Sequence, residues 1–283
     1  MLLHGVSALL DARRAGRAVP GFVAYNLETA QAVAAAAERT GMPILIQAGS
    51  SAFRHAGMRE LASLCLDVAR HSDAQIGVHL DHCRSLEEIE ACLELGYTSV
   101  MFDGSHLPYE ENVAVTRCVV ERAHAARAWV EAELVGTAGD EDVSTGATAT
   151  VMTDPAQAAR FVEATGVDAL AVAIGNVHGF TPTEPRIDYE RLQAIRGITE
   201  VPLVLHGASG LARSTLCACV QRGVAKVNVN TELRAAYLDA FAAALPDARA
   251  TVDLAGALAA AREAVAQAAV AIIGSLASCE EGR

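Results

Sequence analysis

Apolar positions along the chain follow two alternating rhythms. Short, nearly continuous apolar runs occupy 21–25, 43–47, 75–80, 99–102, 128–134, 169–174, 202–205 and 225–229. Runs this short read as buried strands. Between them lie alanine-rich segments with apolar residues at i, i+3 and i+4, such as "TAQAVAAAAERTG", "SLEEIEACLELG" and "DPAQAARFVEATG". That spacing gives a helix one buried face. Ser85 and Asp154-Pro155 supply helix starts, and Gly41, Gly96 and Gly166 supply ends. Eight strand–helix units predict parallel strands closed into an α/β (β/α)8 TIM barrel, a single domain over 1–283 with a C-terminal helical extension. An open, doubly wound sheet is the competing architecture. It fits less well, because no Gly-x-Gly-x-x-Gly follows the first strand. One stretch breaks the rhythm: "VGTAGDEDVSTGATATVMT", long, glycine-rich and acidic, is a candidate mobile loop.

Composition narrows the class. With 283 residues, 52% of them hydrophobic, the chain is long enough for one such barrel. Its net charge of −12 and lack of any basic run argue against nucleic acid as a partner. The amphipathic start "MLLHGVSALLDARRAG" lacks a signal-peptide core, and no unbroken apolar stretch reaches a membrane span, so no membrane partner is expected. Seven cysteines with no CxxC pair suggest reduced thiols and a cytoplasmic location.

In this architecture the active site lies at the C-terminal ends of the strands. Those ends carry Asn26, then Asp81 and His82, then "DGSH" (103–106), Glu131 and Glu133, "GNVHG" (175–179), "HGASG" (206–210) and "NVNTE" (228–232). His82, His178 and His206, at the tips of strands three, six and seven, could converge on one ion. Three protein nitrogens with an open position is the arrangement of catalytic zinc. Strand alternation places His79 and Asp81 on one face and His82 on the other; His79, lower in the strand, reads as structural. "HGASGL" and "NVNTEL" put small residues where helices begin after strands seven and eight, the usual phosphate position of such barrels. Ordinary helix capping by Ser209 and Thr231 would look the same.

The motifs "AYN", "VHLDH", "YTSVMFDGSHLPYEENV", "VEAEL", "DALAVAIGNVHG", "VPLVLHGASGL" and "VNVNTEL", in that order, resemble those of the class II, metal-dependent ketose-bisphosphate aldolases, closest to the fructose/tagatose-bisphosphate branch. The resemblance implies that His82, His178 and His206 hold Zn2+, with Asp81 as the acid/base at the C4 hydroxyl. It implies a second divalent metal position at Asp103 and Glu133. Glu141 would be the base that takes a proton from dihydroxyacetone phosphate. Asn26, Ser50, Gly179, Gly207, Ala208, Ser209, Asn228, Val229, Asn230 and Thr231 would surround the phosphosugar substrate and its phosphate. A monovalent cation (Na+ or K+) nearby and a homodimer or homotetramer also follow from the resemblance. The implied reaction is zinc-dependent, reversible aldol cleavage of a ketose 1,6-bisphosphate to dihydroxyacetone phosphate and an aldehyde.

The sequence departs from the family pattern in places. Where the family often shows Gln-x-Ser-x-Gly, this chain reads "QAGSS", with Gly49 at the serine position. The C-terminal "DPR" appears as "DAR" (247–249), which leaves the residues for the far phosphate unassigned. The competing functions are an aldolase for a different ketose phosphate, a non-catalytic phosphosugar-binding paralogue, and a metal-dependent hydrolase. The hydrolase lacks its His-x-His on strand one. A Schiff-base aldolase needs a lysine, and the only one, Lys226, sits a layer below the strand tip.

Overall fold

Every apolar run of the sequence becomes a strand: β1 (Val19–Val23), β2 (Ile44–Gln47), β3 (Ile76–Cys83), β4 (Ser99–Asp103), β5 (Trp129–Glu133), β6 (Ala169–Ala171), β7 (Leu203–Leu205) and β8 (Val224–Val229). All neighbouring pairs are parallel, and β8 pairs with β1, so the sheet closes as an eight-stranded barrel. The computed structural model describes residues 2–139 and 151–279.

The helices are α1 (Ser7–Arg14), α2 (Leu27–Thr40), α3 (Ser50–Ala56), α4 (Met58–His71), α5 (Leu86–Leu95), α6 (Tyr109–Ala125), α7 (Pro155–Thr165), α8 (Tyr189–Ile198), α9 (Arg213–Gln221), α10 (Thr231–Thr251) and α11 (Leu254–Ala277). Sequence signals explain several boundaries. Ser85 accepts from the Glu88 amide to start α5, and Asp154 accepts from the Gln157 amide, with Pro155 in the first turn of α7.

Two apolar layers hold the barrel. The larger lies between strands and helices and includes Phe22, Ile46, Val78, Leu80, Phe102 and Phe161, all buried. The smaller fills the bottom of the barrel with Val19, Leu45, Met101, Trp129 and Val204, and Leu9 of α1 plugs it from below. Above that plug the inward-facing positions turn polar. Gln47, His79, Asp103, Glu131, Glu133 and Lys226 are all buried. Polar groups at such depth are tolerated only when bonded to one another, so this layer is where chemistry is to be sought.

The C-terminal extension is the hairpin of α10 and α11, with α11 lying on α2 and α10. At 24 residues α11 is long and apolar enough to cross a membrane by length and composition. Here it packs Ala257, Ala261, Val265, Ala269 and Ile273 inward along one stripe. Its charged residues reach α2: Glu263 pairs with Arg39 at 2.7 Å and Arg262 donates to Gln31 at 3.0 Å. The expectation that all thiols are reduced needs correction. Cys217 in α9 and Cys279 after α11 form a disulfide across 62 residues of sequence, a pairing no local spacing reveals. The remaining cysteines are free, and four of the five are buried.

Candidate metal centre and active site

The site begins with a break in strand geometry. A regular β3 would send Asp81 and His82 to opposite faces. Instead His82 takes a positive φ of 91°, and the β3–β4 register shifts between Leu80 and Cys83. Left-handed backbone at a non-glycine residue costs on the order of 1–3 kcal/mol and is found where function holds it. The effect is that Asp81 and His82 both line the cavity at the barrel mouth, of about 320 Å³. Gly49 makes room for the bend, because a Cβ there would lie 2.6 Å from the Asp81 carbonyl oxygen. The serine that commonly stands here in the family pattern would collide with that backbone.

Three imidazoles meet at this mouth. The ligating atoms of His82, His178 and His206 all lie within 4.8 Å of one another. His82 Nε2 is 2.7 Å from His206 Nδ1. On its other side the His206 ring donates from Nε2 to Glu131 Oε1 at 2.6 Å, which leaves the Nδ1 lone pair turned toward His82. Glu131 Oε2 in turn accepts from Lys226 Nζ at 2.7 Å, and all three side chains are fully buried. The His178 ring bonds to the backbone of Gly139, and its Nε2 is buried without a partner among the described residues. A buried ring nitrogen with nothing to bond is costly unless something else fills its place. The three-imidazole set with an open side therefore fits a divalent metal, zinc first among them.

Electrostatics support that fit. Burial pushes the imidazoles of His82 and His178 down to about 3, so both rings stay neutral near neutral pH. Burial also works against charge on Glu131, but Lys226 and His206 override it and hold the carboxyl below its ordinary range. For His206, burial is outweighed by the hydrogen bond and charge of Glu131, which raise it. His79 is buried against Ser99, 2.9 Å from its hydroxyl, and stacks on Trp129; its place is below the site.

Asp81 is held by one oxygen and open at the other. Oδ1 accepts from Gln47 Nε2 at 2.8 Å and Asn228 Nδ2 at 3.2 Å. Oδ2 is buried without a partner among the described residues. A carboxylate fixed on one side and unengaged on the other is placed to exchange a proton with a substrate hydroxyl.

A second cluster, His82, Asp103 and Glu133, also has its donor atoms within 4.8 Å of one another. Its carboxylates are in different states. Asp103 Oδ2 takes the Arg84 guanidinium at 2.6 Å, and Oδ1 takes the Ser105 amide and hydroxyl. Glu133 is pushed up to about 7, first by burial and also by the neighbouring Asp103 charge.

At the β7–β8 side a small cleft is lined by His178, Gly179, Gly207, Ser209, Asn228, Asn230 and Thr231. The Ser209 hydroxyl accepts from the Thr231 amide at 3.2 Å, reaching across to the start of α10, while α9 and α10 start from Ala212 and Asn230 without a side-chain cap, so Ser209 and Thr231 are not ordinary caps of their own helices. Gly207 is required: its φ is 57° and a Cβ would lie 2.5 Å from the Val177 carbonyl. Ala208, after β7, and Val229, the last residue of β8, are both buried.

Two residues expected at the substrate are engaged elsewhere. Asn26 caps α2, accepting from the Thr29 amide and donating to the Tyr237 hydroxyl at 3.2 Å, and it lines neither cavity. Ser50 lines the large cavity, but its hydroxyl donates to Glu88 at 2.9 Å. Glu141 lies outside the described residues. The sequence reading gave no role to Glu131, Arg54, Arg84 or Ser51. The spacing of Glu131 and Glu133 two apart on one strand was the available signal for inward carboxyls; nothing comparable marks the others.

Comparison with known proteins finds relatives that match nearly the whole chain. A family model described as fructose-bisphosphate aldolase class-II matches residues 5–281. The YdjI aldolase from Escherichia coli K12 is 32% identical, with a TM-score of 0.88, covering 98% of this chain and 97% of that one. A candidate fructose-1,6-biphosphate aldolase from Coccidioides immitis is 33% identical, with a TM-score of 0.86 and 96% of each chain covered. A fructose-bisphosphate aldolase from Campylobacter jejuni, 21% identical, shares the fold with a TM-score of 0.83 over 97% of this chain and 95% of that one.

Proposed function

The chain belongs to the class-II fructose-bisphosphate aldolase family, and from there we propose that it cleaves and re-forms the C3–C4 bond of a ketose 1,6-bisphosphate of fructose or tagatose type, using zinc. The products would be dihydroxyacetone phosphate and an aldehyde. One observation carries the reading: imidazoles from β3 and from the connections after β6 and β7 bring their donor atoms within 4.8 Å at the barrel mouth.

His82, His178 and His206 would hold the ion. When bound there, zinc supplies a Lewis acid that draws electron density from the ketose carbonyl and offsets the charge left on the three-carbon half. The protein's own groups do the rest. Asp81, fixed through Oδ1 by Gln47 and Asn228, would take the C4 hydroxyl proton at Oδ2 in cleavage and return it in condensation. Proton transfer of this kind contributes on the order of 10²–10⁴-fold. The Ser209 hydroxyl, the amides at the start of α10 and the glycine turns at Gly179 and Gly207 would receive the phosphate next to C1. Glu141 would serve as the base at the dihydroxyacetone phosphate half. A second divalent ion at His82, Asp103 and Glu133 would have to displace Arg84 from Asp103. Na+ or K+ near the phosphate cleft, a cytoplasmic location and a homodimer or homotetramer belong to the same reading.

Arg84 on Asp103 and the wide β2–β4 side of the cavity also keep a different ketose phosphate open as substrate. The deciding experiment measures release of dihydroxyacetone phosphate from fructose and tagatose 1,6-bisphosphates. Activity should vanish with a chelator and return with added zinc. Turnover that survives complete metal removal would reject the proposal.

A further inference from the structure

His82 belongs to two sets of donor atoms at once. With His178 and His206 it makes the three-imidazole set, and with Asp103 and Glu133 a set richer in oxygen. The ring stands between them, its Nε2 2.7 Å from His206 Nδ1 and its Nδ1 3.8 Å from Glu133 Oε2. By spacing alone, either set fits a divalent ion. They differ in how much of each is already bonded.

The imidazole side keeps polar atoms open. His178 Nε2 and Asp81 Oδ2 are both buried without a partner among the described residues. On the carboxylate side Asp103 is saturated. A carboxylate offers roughly four lone-pair directions, and the donors on Asp103 fill them. Oδ1 takes the Ser105 amide at 3.1 Å and its hydroxyl at 2.6 Å, and Oδ2 takes Arg84 Nε at 2.7 Å and Nη2 at 2.6 Å. Glu133 gives Oε1 to the amide and hydroxyl of Thr137.

The cation at this set is therefore a side chain. The Asp103 side chain is 6% exposed, and the Arg84 guanidinium meets it at the wall of the large cavity. A guanidinium carries a charge that deprotonation does not remove. A divalent ion entering here would break charge-assisted bonds and settle beside a fixed like charge.

We propose that Arg84 stands in for a second metal ion: it neutralises Asp103 and so confines divalent metal to His82, His178 and His206, one ion per chain. This rests on the reading of the three imidazoles as the metal centre. It runs against the second divalent position that the family resemblance implies at Asp103 and Glu133.

The two positions can be read separately, because carboxylate sites suit Mn2+ and imidazole sites suit Zn2+. The full chain is loaded with zinc, its content checked by elemental analysis, and titrated with Mn2+ under electron paramagnetic resonance, which counts the free ion. Arg84→Met and Arg84→Gln are two neutral variants of a side chain 60% exposed, whose loss the fold should tolerate. Each should bind Mn2+ about 10–100-fold more tightly than the wild type, the worth of the charge-assisted bonds no longer in the way. Arg84→Lys, a cation without the fork, should lie between. Adding Asp103→Asn to either neutral variant should remove the gain. Zinc-loaded wild type that binds Mn2+ as tightly as the neutral variants overturns the proposal, as does a gain that survives Asp103→Asn. A wild type that takes up no zinc would strike the metal-centre reading instead, so the two failures are distinct.

Discussion

Glu131 holds His206 by its outer nitrogen: Oε1 accepts from Nε2 at 2.6 Å, and Lys226 anchors the other carboxylate oxygen at 2.7 Å. The ring therefore has one tautomer and one orientation, with Nδ1 facing His82. Metal ligands are commonly fixed this way, and loss of the supporting carboxylate typically weakens metal binding 10–100-fold. Glu131→Gln keeps the shape but leaves the Lys226 ammonium without its counter-charge. Zinc affinity measured by chelator competition should drop by about that factor. Unchanged affinity would mean that Glu131 serves packing alone.

Separating the ligands from the proton carrier gives a second prediction. His206→Ala should purify with little zinc and fail to take it up at micromolar concentrations, as read by elemental analysis. Asp81→Ala should bind zinc like the wild type yet lose about 10²–10⁴-fold in kcat. Near-normal turnover in Asp81→Ala would remove it from the chemistry.

Gly49 offers a third. A serine Cβ at this position would sit 2.6 Å from the Asp81 carbonyl oxygen, so Gly49→Ser must move the β3 bend. Overpacking of this sort costs about 1–3 kcal/mol, and a displacement near 1 Å at a reacting group costs on the order of 10²-fold in rate. Urea unfolding and kcat together report both effects. A variant with wild-type stability and rate would show that the bend tolerates a side chain.

The fourth concerns pH and the metal-free protein. Burial lowers His79 to about 3, against 6.5 as its ordinary value. Between those values the unfolded chain binds a proton at this site and the folded chain does not, so stability falls as pH falls from 6.5 toward 3. His82 and His178 act in the same direction. Glu133 acts oppositely: raised to about 7, it favours the fold at low pH and loses that contribution as pH rises from 4.5 through 7. Each histidine adds at most about 1.4 kcal/mol per pH unit. His79→Gln should flatten the stability–pH curve below 6.5 by up to that slope. Chemical denaturation of the apoprotein between pH 7 and 5 tests it, and an unaltered slope would contradict the assignment.

The barrel was readable because its evidence is local. Each apolar run is a strand, and each i, i+3, i+4 segment is a helix whose burial follows from its own pattern. The histidines at the tips of β3 and beyond β6 and β7 were readable for the same reason, since closing the barrel sets their neighbours. Features set by non-local contacts were not. The rule of alternating faces put His82 opposite Asp81, and only the bend at His82, packed on Gly49, turns both to one cavity. Asn26 looks the same in sequence whether it caps a helix or faces substrate. Ser50 is diverted by Glu88, 38 positions away. Arg84 reads as a solvated residue until Asp103, 19 positions on, is known to hold it, and the Cys217–Cys279 bond joins segments that share no pattern.

The burial of Lys226 has a practical corollary. It is the chain's single lysine, and the barrel seals its ammonium against Glu131. The folded surface thus offers no side-chain primary amine to an acylating dye, an aldehyde crosslinker or an amine-coupled sensor chip. Such reagents should attach at the α-amino terminus alone, one per folded chain, and a second attachment would mark molecules whose barrel has opened.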